Sequence, residues 1–110
     1  MHLPNRVYAF VPKEKLTRYL LSETHDFGKS KARYFRAHGF NEGNLRLLEQ
    51  GLLSVAQNNV VTKQESSSHG TKYLIRGKIE TPTGISVTIN TVWIIEAGDH
   101  KPRLVTAYPF

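Results

Sequence analysis

The stretch that most limits this chain's fold is TKYLIRGKIETPTGISVTINTVWIIE, from Thr71 to Glu96. Two runs rich in β-branched and aromatic residues flank TPTG, a pattern that predicts a hairpin. The loop Pro82-Thr83-Gly84 fits a type I turn closed by a left-handed glycine. A loop of that kind sets the strand register. It pairs Glu80 with Ser86, Ile79 with Val87, Gly77 with Ile89, Ile75 with Thr91 and Tyr73 with Trp93. Pairing Glu96 with Arg103 across AGDHKP then sets Ile95 against Leu104, Trp93 against Thr106 and Thr91 against Tyr108. One face carries Tyr73, Ile75, Ile79, Val87, Ile89, Trp93, Ile95, Leu104 and Tyr108, and it is nearly all apolar. A slip of one residue would scramble it. The other face carries Lys72, Leu74, Arg76, Lys78, Ser86, Thr88, Asn90, Val92, Ile94 and Arg103, and is mixed and basic.

Something apolar must cover the first face, and the first half of the chain supplies it. KEKLTRYLLSE has Leu16, Tyr19 and Leu20 at helical spacing, which predicts a helix from about Lys13 to Ser22. THDFG breaks it. KSKARYFRAH sets Ala32 and Phe35 on one side of a second helix, and Gly39 follows as a residue tolerant of positive φ. Asn41 fits the N-cap of a third helix, which Leu45, Leu48, Leu52, Leu53 and Val55 carry to about Gln57. VYAFVP before Pro12 reads as an edge strand or an arm, VVTKQ as a short strand, and QESSSHG as a linker-like patch. The expected fold is α+β: two to three N-terminal helices packed on one face of a C-terminal antiparallel β-sheet of three to four strands. It forms one domain over residues 1–110, with a helical half at about 13–57 and a sheet half at about 60–110.

Composition narrows the chemistry. With no cysteine, this chain offers no disulfide, thiolate nucleophile or Cys-type zinc site. No apolar run approaches the ~20 residues that span a bilayer, and no signal-peptide pattern opens the chain. The expectation is a cytoplasmic domain without a membrane partner. The net charge of +6 favours polyanions, because cations that neutralise phosphates release counterions.

Two places gather the residues such a partner would need. On the uncovered sheet face Lys72, Arg76 and Lys78 alternate along one strand, with Thr88 and Asn90 beside them and Arg103 from the last strand. The plain alternative is a solvated face with lysines guarding a sheet edge. The second place is HDFGKSKARYFRAHGF, where Lys29, Lys31 and Arg33 lie near a helix start and His25 precedes it as a proton carrier at neutral pH. The plain alternative there is that Asp26 or Ser30 caps the helix and His25 is a loop residue. No HExxH pair or carboxylate cluster suggests a metal, and no cofactor motif is present. Metal-free RNA cleavage needs a base, an acid and a positive field. His25 offers the base or acid, with Arg76 and Arg103 as catalytic cations. Lys29, Lys31, Lys72 and Lys78 bind substrate, and Thr88, Asn90 or Thr91 orients a phosphate. A non-catalytic nucleic-acid- or protein-binding module uses the same charges, and an accessory or immunity protein of a toxin system is the third reading.

Three segments carry a resemblance: YLLSETHDFGKSKARYFRAHGF, GTKYLIRGKIETPTG and TVWIIEAGDHKPRLVTAYPF. Through Gly28, Ser30 to Ala32 and Phe35, and through Thr91 to Ile95 and Pro102 to Pro109, the chain resembles an uncharacterised bacterial domain family. That family occurs as small stand-alone proteins or as the last domain of toxin-like proteins. More loosely, helices followed by a four-stranded antiparallel sheet is similar to the metal-independent RNase toxins of barnase-like, colicin-type and RelE-like fold. The looser resemblance implies helices on one sheet face, RNA on the other, and a cognate inhibitor protein as partner. A homodimer is compatible with either resemblance.

Overall fold

The hairpin forms in the expected register. In the computed structural model, which describes residues 1–25 and 28–110, β2 (Gly70–Glu80) and β3 (Ser86–Glu96) pair antiparallel, with Glu80 opposite Ser86, Ile75 opposite Thr91 and Tyr73 opposite Trp93. Gly84 sits at φ +85° and its N–H donates to the Thr81 carbonyl at 2.9 Å. β1 (Val61–Ser67) pairs with β2 and β4 (Arg103–Pro109) with β3, giving a four-stranded sheet in chain order.

The helices precede the sheet. An α-helical turn α1 (Lys13–Lys15) runs on as a π turn (Leu16–Leu20), in which Leu21 N–H reaches back to the Leu16 carbonyl at 3.0 Å. α2 spans Lys29–Ala37 and α3 spans Leu45–Asn58. Asn41 caps as expected, but through a 3₁₀ turn, Glu42–Asn44, that leads into α3. There Asn41 Oδ1 accepts from Gly43 N–H at 2.7 Å, and Asn44 Oδ1 accepts from Asn41 N–H at 2.8 Å, a reciprocal cap. Leu16, Leu20, Leu21, Phe35, Leu48, Leu52 and Val55 meet Ile75, Ile79, Ile89, Trp93 and Leu104 in one core. α3 comes close to β2: a Cβ on Gly77 would stand 2.5 Å from Asn59 Nδ2 and 3.1 Å from Val55 Cγ1. Glycine suits that position because the Asn59 amide and a Val55 methyl already fill the space a side chain would take.

Two expectations need correction and one open alternative closes. Glu96 does not pair with Arg103, nor Thr91 with Tyr108. Ile94 faces Arg103 and Trp93 faces Leu104. The register then shifts, so that Val92 faces Thr106, Thr91 faces Ala107 and Asn90 faces Tyr108. Ala107 therefore takes the inward place, and Tyr108 turns to the open face. The cause lies in the AGDHKP loop. Gly98 sits at φ +83° and the Asp99 carboxylate accepts from the His100 and Lys101 N–H groups, a local turn that absorbs residues a straight count assigns to strands. Second, QESSSHG is no linker, because Gln64 to Ser67 belong to β1 and Ser67 pairs with Gly70. Of the two alternatives for the N-terminal segment, edge strand or arm, the arm forms, and it docks within the chain. Phe10 N–H donates to the Pro102 carbonyl and the Phe10 carbonyl accepts from Leu104 N–H, while Leu3 and Val11 are buried.

Inside the core one polar chain is closed on itself. Trp93 Nε1–H donates to Thr91 Oγ1 at 2.8 Å, and that hydroxyl donates to the Ile75 carbonyl at 2.8 Å. Thr91 and Trp93 have no exposed surface, so Thr91 is not available to a ligand. Thr91→Val keeps the shape and strips both bonds. It should cost about 1–3 kcal/mol, because the indole N–H is left buried without an acceptor. Urea unfolding followed by Trp93 fluorescence should show a lower midpoint at an unchanged slope.

Candidate active site

The helices lie on one sheet face and, among the described residues, leave the other uncovered. Lys72, Arg76 and Lys78 are all exposed on that open face, Arg76 one two-residue step of about 6.6 Å from Lys78 and two such steps from Lys72, with Leu74 between. Each has different company. Lys72 borders a dimple of about 180 Å³ floored by Leu74 and Val92 and walled by Tyr108, Lys63 and Glu65. Arg76 donates from Nε to Asn90 Oδ1 at 3.1 Å, and its guanidinium lies 3.7 Å from the centre of the Phe110 ring. Asn90 is 7% exposed, so its oxygen is committed to Arg76. Lys78 faces a groove of about 470 Å³ shared with Leu47, Gln50 and Ser54 of α3. Thr88 is half-buried, and its carbonyl accepts from Phe110 N–H.

A second site lies where α1 and the π turn meet β4. Pro12, Glu14, Lys15, Arg18, Tyr19, His25 and Arg103 line an open cleft of about 410 Å³. Lys15 Nζ stands 4.8 Å and Lys31 Nζ 5.4 Å from the centre of the Tyr19 ring. The His25 ring meets it edge-on at 5.0 Å. Tyr19 Oη is 3.3 Å from Thr106 Oγ1. Burial raises the Tyr19 hydroxyl's pKa, but the hydrogen bonds from Thr106 and Lys31, with the charges of Lys31 and Lys15, outweigh it and leave the phenol more acidic than an ordinary tyrosine. Arg103 spans to Glu96, with Nε at 3.1 Å and Nη2 at 2.6 Å from Oε1.

His25 is more than a loop residue. Its carbonyl accepts from the Gly28 and Lys29 N–H groups, and Nδ1 accepts from Gly28 N–H at 3.1 Å. These contacts cap α2, where neither Gly28 nor Ser30 offers a side-chain cap. Asp26, the other expected cap, lies outside the described residues. With Nδ1 accepting, a neutral His25 ring carries its hydrogen on Nε2.

The expected residues thus divide between two neighbouring surfaces. His25 and Arg103 line the cleft and Lys31 sits over its tyrosine. Arg76, Lys72, Lys78, Thr88 and Asn90 belong to the open sheet face. The Arg103 row, opposite Ile94, lies four residues from the Arg76 row, opposite Asn90, or about 13 Å along the strands. Lys29 is on neither surface. It borders a groove with Arg33, Arg36 and Glu23, and Arg36 there is held by Glu42, Glu23 and the Leu21 carbonyl. Among the described residues no three His, Asp or Glu side chains gather as metal ligands, and no helix is long and apolar enough to cross a membrane. Sequence reasoning missed Tyr19, which it read only as core. A signal was present: Lys15 and Tyr19 are four apart on one helix, a spacing that stacks the two side chains.

Gly28 fixes the cleft's geometry. A Cβ there would stand 2.2 Å from the Tyr19 carbonyl oxygen. Gly28→Ala should therefore push α2 off the π turn and cost more than about 1 kcal/mol. Thermal unfolding should show a lower Tm, and the Tyr19 and His25 ring resonances should both move.

The family described as domain of unknown function DUF6883 matches residues 2–110 of the chain. No protein of curated function matches it. Among solved structures, the chain is similar to one in a contact-dependent growth inhibition toxin–immunity protein complex from Klebsiella pneumoniae 342. The two are 15% identical with a TM-score of 0.73, over 94% of this chain and 95% of that one. At that identity the likeness is one of fold.

Proposed function

The chain belongs to the DUF6883 family, and we propose that this member cleaves RNA phosphodiesters without a metal ion, as a toxin-type ribonuclease. The observation that carries the reading is the cleft itself: Lys15, Arg18, Lys31 and Arg103 surround two titratable rings, Tyr19 and His25. Cleavage through the 2′-hydroxyl needs a proton acceptor and fixed positive charge for the phosphorane-like transition state. The cleft supplies the residue types for both. His25 lines the cleft with its ring held through Nδ1 by Gly28 N–H. Arg103 and the lysines neutralise the charge that develops. The open sheet face lies alongside, since Lys72, Ile94 and Arg103 stand side by side on three adjacent strands. A nucleotide chain held by Lys72, Arg76 and Lys78 would enter the cleft past Arg103. The fold likeness to a chain of a toxin–immunity complex supports this setting.

That same likeness supports a second reading, a member that binds a partner protein of complementary charge in such a system, with no chemistry of its own. The two diverge in one experiment. Purified chain incubated with total RNA in EDTA should yield fragments ending in cyclic phosphate. Arg103→Ala should lower the rate on the order of 10²-fold, the usual cost of one transition-state donor. His25→Ala should lower it less than the loss of Arg103. RNA left intact by well-folded protein would refute the cleavage reading. In the partner-binding case, charge substitutions weaken a complex in salt-dependent steps and leave RNA untouched.

A further inference from the structure

The geometry points to Tyr19 as the proton acceptor of this cleavage, with Thr106 as the positioning residue that holds its hydroxyl. The inference rests on the ribonuclease reading and supplies the base that reading lacks. His25 fits the part poorly, because Nδ1 is occupied by Gly28 N–H and the neutral ring carries hydrogen on Nε2. Tyr19 sits on a π turn, an irregular helical geometry that recurs at functional sites. Gly28 packs against its carbonyl, so the backbone beneath the ring is fixed.

The groups facing Tyr19 come from every element around it. α1 contributes Lys15 and the carboxylate of Glu14, and the π turn contributes Arg18. His25 stands at the ring edge, α2 contributes Lys31, and β4 contributes Arg103 and Thr106. Arg103 is paired with Glu96, and it is the Lys15 and Lys31 ammonium groups at the ring that favour the phenolate. The other tyrosines differ. Tyr8 is exposed beside His100, Tyr34 packs on Phe35 and His38, Tyr73 is buried, and Tyr108 lies on the open face. Among the described residues only Tyr19 has ammonium groups from two helices at its ring.

In the step, the Tyr19 phenolate takes the 2′-hydroxyl proton. The 2′ oxygen bonds to phosphorus and the phosphorus–5′ oxygen bond breaks. The leaving 5′ oxygen takes a proton from water, and the hydroxide so formed removes the proton from Tyr19. The products are a 2′,3′-cyclic phosphate and a 5′-hydroxyl.

The test pairs a spectroscopic readout with a kinetic one. Phenolate absorbance is titrated in the wild type and in Tyr19→Phe, Thr106→Val and Thr106→Ser, and the pH–rate profile of RNA cleavage is measured for each. The wild-type minus Tyr19→Phe difference should show one tyrosine ionising ahead of the rest. Tyr19→Phe should lose 10²- to 10⁴-fold in kcat/KM, the range for a lost general base, expected here at about 10³. Thr106→Val should move the phenolate midpoint and the ascending limb of the rate profile to higher pH together and lower the neutral rate about tenfold. Thr106→Ser should restore both. If Tyr19→Phe cleaves RNA as fast as the wild type, this inference fails and the ribonuclease reading stands. If Tyr19 ionises early but no RNA is cut, the ribonuclease reading fails and takes the acceptor role with it. If Thr106→Val slows cleavage without moving the phenolate midpoint, the positioning role is refuted.

Discussion

The pairing of β2 with β3 is the constraint on which the rest of the structure depends. Every residue from Gly70 to Glu80 has its partner on β3 without a break. The register is held at one end by the Thr81–Gly84 turn and inside the core by the bonds from Trp93 to Thr91 to Ile75. Because side chains alternate, this single register sends Trp93 and Ile75 to the helices and Arg76 and Lys72 to the open face. The helices have a place to dock only after this choice is made. The burial of Trp93, Ile75 and Ile89 against Leu52 and Val55 then secures it, at roughly 1.5–3 kcal/mol for each large side chain removed from water.

A polar clamp then orients α2. Arg36 donates from Nε and Nη2 to the Leu21 carbonyl at the end of the π turn and pairs with Glu42 before α3 and with Glu23. One guanidinium thus ties together three helical segments. The hydrogen bond from Arg36 holds the Glu42 carboxyl below the usual range. A carboxylate depressed in the folded state stabilises above its unfolded pKa, and that support fades as pH falls through the folded one. At neutral pH the clamp is fully formed. Its consequence for the cleft is geometric: α2 carries Lys31 to one side of Tyr19, and the Gly28 contact brings the start of α2 against that residue's backbone.

What could be read from sequence follows from how local each determinant is. The β2–β3 register was legible because a three-residue loop with glycine admits few conformations. The β3–β4 register was not, because the Asp99 turn and the shift between Val92 and Trp93 depend on contacts that spacing does not encode. That error moved Tyr108 to the wrong face. The three helices were legible from their apolar spacing, whereas the π turn was not, since one extra residue in a five-residue turn leaves no mark in that spacing. Of the candidate site, the cations on the open face were legible from alternation alone. The company of Tyr19 was only half legible. Lys15 is its helical neighbour, but Lys31 comes from another helix and Thr106 from a strand far along the chain. Tyr19 was passed over because an aromatic at helical spacing usually belongs to the core.

Two arginines on adjacent surfaces show how the same charge can be used in two ways. Arg76 is clamped by Asn90 and covered on one face by Phe110, so its guanidinium is oriented before any ligand arrives. That costs little further entropy on binding and suits a residue that holds a chain in place. Arg103 pairs instead with Glu96, a carboxylate at the exposed end of β3. An exposed pair of this kind is worth only about 0–1 kcal/mol, so a phosphate can displace the carboxylate at small cost. On the proposed reading Glu96 would be the resting counter-ion of an Arg103 that already lines the cleft. If the proposed cleavage holds, fixed charge on the open face and exchangeable charge at the cleft's edge would serve in that order, the first holding the chain along its backbone and the second neutralising the bond that breaks.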